Sequence, residues 1–111
     1  METKFVNLTP HDIVMQLSDG SRRVFANSGV IARVATTSLE DGSFDGIPVV
    51  RTTFGEVENL PVPEEGTVYI VSALVLSALA GSRSDVVAPN TGPTAIRNEK
   101  GLVEAVVSFT R

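Results

Sequence analysis

Between Glu65 and Arg83 the chain carries no charge, and apolar residues fill most of positions 68–80. A segment of this kind has to be buried, either in the fold or against another subunit. The pattern predicts a strand over residues 68–71, a short helix over 72–80, a second strand over 85–88 and a turn-rich loop over 89–93. Ser72 is a natural helix N-cap, since its hydroxyl can accept from an orphaned backbone N–H. Val71 and Leu76 have the spacing of a hydrophobic staple. Gly81 can take the left-handed conformation that ends a helix. Only Ser77 interrupts the apolar run, so no polar face is left for solvent. The helix is therefore either a core element or a subunit contact through Ala73, Ala78 and Ala80. An uncharged helix needs about 20 residues to cross a bilayer, and this run is too short.

Elsewhere the polar alternation is that of strands. Residues 4–8 form one, ended by Pro10, which cannot donate to a ladder. Ile13, Met15 and Leu17 alternate on one face of a second strand. Asp19-Gly20 is a hairpin signal, and residues 22–26 return as the partner. Residues 30–36 and 47–54 are further strands, separated by the acidic, glycine-bearing stretch 38–46, which reads as a solvated loop. Pro61-Val62-Pro63 makes an extended connector. Residues 94–97 pair with 102–110 across Asn98-Glu99-Lys100-Gly101. In that last strand Val103, Ala105, Val107 and Phe109 share a core face. The sum is a single α+β domain over residues 1–111. It has an antiparallel-rich sheet of about six to eight short strands and one short buried helix.

Composition narrows the function classes. The 111 residues are 42% hydrophobic and 20% charged, enough apolar surface for a real core. The N-terminus lacks a basic stretch followed by an apolar run, so no signal peptide is expected, compatible with the cytosol. No cysteine is present, which excludes disulfide scaffolds, thiolate zinc and cysteine nucleophiles. The net charge of −4 argues against a duplex DNA partner, which needs a basic face. A few arginines in one pocket can still hold a small phosphate ligand.

Candidate chemistry is sparse. Asp41, Ser43, Asp45 and Gly46 have the spacing of the start of a calcium loop, but Thr52 stands where a bidentate glutamate is needed, so no metal is expected. The one histidine, His11, sits beside Asp12; neighbours on an extended strand point to opposite faces, and a turn role bonding local backbone is the plainer reading. Glu56/Glu58 and Glu64/Glu65 read as solvated. There is no GxGxxG and no Walker motif. The most distinctive loop is Pro89-Asn90-Thr91-Gly92-Pro93. Asn90 offers a donor and an acceptor, Thr91 a hydroxyl, and Gly92 a backbone that a ligand can approach. Arg83 and Arg97 flank the loop in sequence. It can read ribose or a base edge with an arginine on phosphate, or it can be an ordinary turn using Asn and Gly for their backbone freedom.

Four segments together carry a resemblance: VNLTPH (6–11), FGEVENLP (54–61), GTVYIVSALV (66–75) and DVVAPNTGP (85–93) followed by Arg97. In order and spacing they resemble small bacteriophage and prophage proteins, and among these the anti-Thoeris sponge family. The resemblance implies a non-enzymatic anti-defence protein without a cofactor, acting in the cytoplasm of an infected bacterium. Such proteins sequester cyclic ADP-ribose isomers made by TIR-domain enzymes, and some hold cyclic oligonucleotides. They are homo-oligomers with pockets between protomers. Carried onto this chain, Asn90 is the first ligand residue, followed by Arg97 and Arg51, with Phe54 as a stacking partner. Two other classes stay open: a nucleotide-degrading enzyme using His11 and a carboxylate, and a phage structural or assembly protein whose apolar helix is an oligomer contact.

Overall fold

The computed structural model describes residues 3–111. Within them the chain forms β1 (Lys4–Asn7), β2 (Ile13–Gln16), β3 (Arg22–Phe25), β4 (Arg33–Phe44), β5 (Ile47–Glu58), β6 (Thr67–Ile70), α1 (Ala73–Leu79), β7 (Val86–Pro89), β8 (Ile96–Arg97), β9 (Val103–Ala105) and β10 (Phe109–Thr110). This is a small α+β fold whose strand pairs are mostly antiparallel: β2–β3, β4–β5, β8–β9 and β7–β10. The exceptions lie at its centre. β6 pairs in parallel with β1 on one side and β7 on the other, and α1 is the crossover that parallel pairing requires.

The uncharged segment predicted from the sequence is this β6–α1 unit. Tyr69 and Val71 enter one core with Leu8, Val75 and Val86, while Ile70 enters a second with Ile13, Met15, Phe25, Val87 and Val106. A strand buried on both faces has no polar alternation, which is why it reads as a continuous apolar run. In the second core Phe5, Phe25 and Phe109 pack ring against ring, with centroids 4.9–5.9 Å apart. The Arg23 guanidinium lies over the rings of Phe5 and Phe25.

The N-cap follows the sequence, while the C-cap is Ala80, one residue before the expected Gly81. Ser72 Oγ accepts from the Val75 amide at 3.3 Å. Ala80 and Gly81 both take positive φ at the C-terminus. Burial of the helix differs from expectation. Only Val75 is fully buried, and Leu76 and Leu79 are partly packed against the core. Ala73, Leu74, Ser77 and Ala80 face outward. A helix lying on one face of a sheet buries one stripe; here the outward stripe is apolar as well.

Four other expectations need correction. Residues 38–46 are not a solvated loop: they complete β4 and turn into β5 at Asp45-Gly46, both with positive φ. That is the pairing geometry of a two-residue type I′ hairpin. The strand expected at 30–36 begins only at Arg33 and runs on to Phe44, and the one expected at 47–54 runs on to Glu58, giving two 12-residue strands. The last strand is broken: β9 ends at Ala105, Val106 forms a single bridge to Met15, and β10 begins at Phe109. The break shifts the alternation by one, so Val106 is buried while Val103 and Val107 are exposed. Leu17, expected beside Ile13 and Met15, is also exposed, because it lies just past the end of β2.

The β4–β5 hairpin stands out from the body as an arm. Val34 and Val57, paired across its base, pack against the first core, and most of the remainder is exposed. The arm stretches the molecule to 53 × 39 × 22 Å with a radius of gyration of 16.5 Å, against about 13 Å for a compact chain of this size.

At the amino end of β7, Arg83 donates to both carboxylate oxygens of Asp85 at 2.8 Å and to the Pro61 carbonyl at 3.0 Å. Both side chains are only 19% exposed. The hydrogen bonds from Arg83 hold the Asp85 carboxyl below its usual range, and Asp85 in turn raises the Arg83 guanidinium. A depressed carboxylate contributes stability that is complete above the unfolded value of about 4 and is lost as pH falls through the folded value. Arg83→Ala is therefore expected to cost about 2 kcal/mol at pH 7. It should also flatten the loss of stability below about pH 4. Urea unfolding of both proteins at pH 7 and in acid checks this; parallel losses in both would show that the pair adds nothing specific.

Candidate functional site

Because β1, β6 and β7 are parallel, their carboxyl ends lie at one edge of the sheet. Two loops leave from that edge, 8–12 after β1 and 90–95 after β7. Ligands of open parallel sheets settle off the carboxyl ends of strands. Here a cleft of about 290 Å³ opens at that edge, walled by His11, Asp12, Pro89 and Thr91 and floored by residues of β2 and β9, with Val106.

The first loop is positioned by Asn7. Its Nδ2 donates to the carbonyls of His11 and Phe25, and its Oδ1 accepts from the amide and hydroxyl of Thr9. The Thr9 hydroxyl has a single proton, which is shared between Asn7 Oδ1 at 2.7 Å and the His11 carbonyl at 2.9 Å. These bonds curl residues 8–12 into a tight turn and hold His11 and Asp12 at the cleft. The sequence expectation that the two point to opposite faces assumed a strand; the loop removes that constraint. Asp12 accepts from the Asn27 amide and Nδ2 at 2.9 and 2.8 Å. The bond from the Asn27 backbone, then that from its side chain, keeps the Asp12 carboxyl below its usual range. Its partner is thus Asn27 and not the imidazole, so no His–Asp dyad is assembled.

The second loop is an Asx turn. Asn90 Oδ1 accepts from the Gly92 amide at 3.2 Å, its Nδ2 donates to Ser108 Oγ, and its backbone amide donates to the Ser108 carbonyl. A Cβ at Gly92 would sit 3.2 Å from Asn90 Oδ1, so this glycine keeps the turn tight. Arg97 donates to the carbonyls of Gly101 and Thr91, each at 3.0 Å. It clamps the loop to the 98–101 turn, where Arg97, Lys100 and Glu104 border an open hollow of about 630 Å³. Glu104 lines both this hollow and the cleft. It pairs with Arg22 at 3.5 Å on an exposed surface, a contact of little energetic weight.

Of the residues singled out in the sequence, Asn90, Thr91, Gly92 and Arg97 lie together. Asn90 and Gly92 shape the loop, while Thr91 lines the cleft and Arg97 the hollow. Arg83 does not join them. It sits at the other end of β7, about 13 Å of strand away, and serves the Asp85 pair. Arg51 and Phe54 are on the arm, opposite Leu39 and Thr36. Three residues apart on one strand, they project from opposite faces. His11, Asp12, Lys100 and Glu104, which line the cleft or the hollow, were not singled out as site residues; the available signal was the strand–helix–strand order, which predicts parallel pairing and a site at the carboxyl ends.

Among the described residues no three His, Asp or Glu side chains gather as a metal site, and no helix is long and apolar enough to cross a membrane. Searches of family models, curated proteins and solved structures found no match to this chain.

Proposed function

We propose that the chain is a non-enzymatic binding protein. In this reading it captures a cyclic ADP-ribose-type or cyclic oligonucleotide signal as a homo-oligomer, in the cytoplasm of an infected bacterium. The observation that carries the reading is the meeting of the cleft and the hollow at Glu104. The cleft offers apolar walls for a base and the carboxylates of Asp12 and Glu104 for ribose hydroxyls. The hollow offers Arg97 and Lys100 for a diphosphate. Thr91 stands between them on a loop already fixed by hydrogen bonds, so little ordering entropy is left to lose on binding. The resemblance of the VNLTPH and DVVAPNTGP segments to anti-Thoeris sponges supplies the ligand class. Asp12 is bonded to Asn27 and not to the imidazole, so His11 is not paired with a carboxylate, which favours retention over cleavage.

Isothermal titration with cyclic ADP-ribose isomers tests the reading, and ligand released by heat denaturation should be chemically intact on chromatography. Lys100→Glu reverses one charge at an exposed position. It is expected to weaken binding about tenfold, or ~1.4 kcal/mol, with the melting temperature of the free protein unchanged. Absence of heat with every isomer, for protein shown to be folded, rejects the ligand class. Recovery of products in place of ligand would establish a hydrolase instead.

A further inference from the structure

We infer that the tip of the β4–β5 arm docks into a second copy of this chain, in the hollow at the C-terminal end of α1. The inference deepens the oligomer part of the proposed function and stands whether or not a nucleotide binds. An isolated two-stranded ribbon is at best marginally stable in water, yet 12-residue strands extend here with only their base on the core. The tip is also apolar. Phe44 and Ile47, paired across the turn, are 76% and 67% exposed, with Leu39 and Val50 exposed behind them. Large exposed apolar groups gathered at one end of a monomer mark an interaction site.

The occupant is identified by what the same chain offers elsewhere. Leu76, Ser77, Leu79 and Ala80 line a hollow of about 270 Å³ with Arg83 and Arg111 on its border. At ~30 Å³ per water this is the volume of about nine waters, enough for a phenyl ring and neighbouring aliphatic carbons. Charge matches as well. The tip carries Glu40, Asp41 and Asp45, and no base occurs from residue 34 to 50. The hollow is bordered by two arginines, and Nη1 of Arg83 makes no hydrogen bond among the described residues. An arm cannot fill its own hollow. Its base lies beside the start of α1, at Val34 and Leu74, and ten residues at ~3.3 Å carry Phe44 about 33 Å from there. The outward stripe of α1 is then covered by a neighbouring arm, which explains why a helix with one face on the core carries no polar face.

Size-exclusion chromatography with light scattering, at about 100 µM chain, reads the assembly directly. The native protein should be oligomeric, and Phe44→Asp should be monomeric with an unchanged circular dichroism spectrum. The hollow is tested by mixing Phe44→Cys protein with Ser77→Cys protein, since the chain has no other cysteine. Oxidation should give a covalent heterodimer, whereas Val62→Cys, at another exposed position, should not replace Ser77→Cys. A monomeric native protein, an oligomer untouched by Phe44→Asp, or cross-linking no better than the Val62 control would each overturn the inference. Negative nucleotide titrations bear on the ligand and leave these outcomes unaffected.

Discussion

Asn7→Ala should lose about 3 kcal/mol of stability, a large share of what a domain of this size holds, with a clear fall in the urea midpoint as its visible consequence. Asn7 is 2% exposed and uses its side chain fully. It donates to carbonyls of the 8–12 loop and of β3, and accepts twice from Thr9. Truncation leaves the Phe25 carbonyl and the Thr9 amide without these partners in a dry interior, each at about 1–3 kcal/mol, partly offset where water enters. A small domain holds only about 5–15 kcal/mol in total. Asn7→Asp is the sharper comparison, since it keeps the shape but turns both donors into acceptors facing carbonyl oxygens. It should be at least as damaging as alanine at pH 7 and should recover in part in acid, where the carboxyl protonates and can donate once. Urea unfolding of the three proteins at pH 7 and pH 4 checks this. Equal midpoints for native protein and Asn7→Ala would mean that the network contributes nothing net.

The same residue shows what the sequence could and could not disclose. The segment from Val6 to His11 is distinctive as written, and a ligand or catalytic role for His11 was the natural question. The structure assigns most of its conspicuousness to architecture: Asn7 and Thr9 fold the loop, and His11 contributes its carbonyl to them. Local patterns were legible wherever one residue type had one physical consequence. Ser72 caps, the apolar 68–71 run is a central strand, and the helix ends where left-handed backbone was expected, though at Ala80 one residue before Gly81. The arm was legible in principle, since Asp45-Gly46 is as good a hairpin signal as Asp19-Gly20. It was hidden because β4 carries serine, threonine and acids on an uncovered surface, which imitates a solvated loop. The site suffered from the reverse problem. Arg83 and Asn90 look like ligand contacts in sequence, but part-buried polar groups in a small domain are first of all required to satisfy one another. Which polar side chains remain for a ligand, such as Lys100, depends on where the backbone carbonyls fall, and no spacing rule contains that information.

Ile70→Ala should be as severe, at about 4 kcal/mol, because the residue is fully buried in the middle strand of the sheet and the rigid ladders on both sides prevent collapse into the space it leaves. Its consequences should be confined to one side of that strand. Ile70 packs with Phe25, Met15 and Val106, whereas Val71 faces Leu8, Val75 and Val86 across the sheet. If the two cores are separate bodies joined only through the shared strands β1, β6 and β7, the milder Ile70→Val and Val71→Ala changes should add to within about 0.5 kcal/mol in a double-mutant cycle. Phe5 ring packing should then respond to Ile70→Val alone, read from the methyl and aromatic NMR shifts. A coupling larger than about 1 kcal/mol would show instead that the sheet transmits strain between its faces. In that case a ligand held at the carboxyl ends of β1 and β7 would be coupled through β6 to the base of the arm. The cycle therefore decides whether the two cores respond as separate bodies or as one across β6.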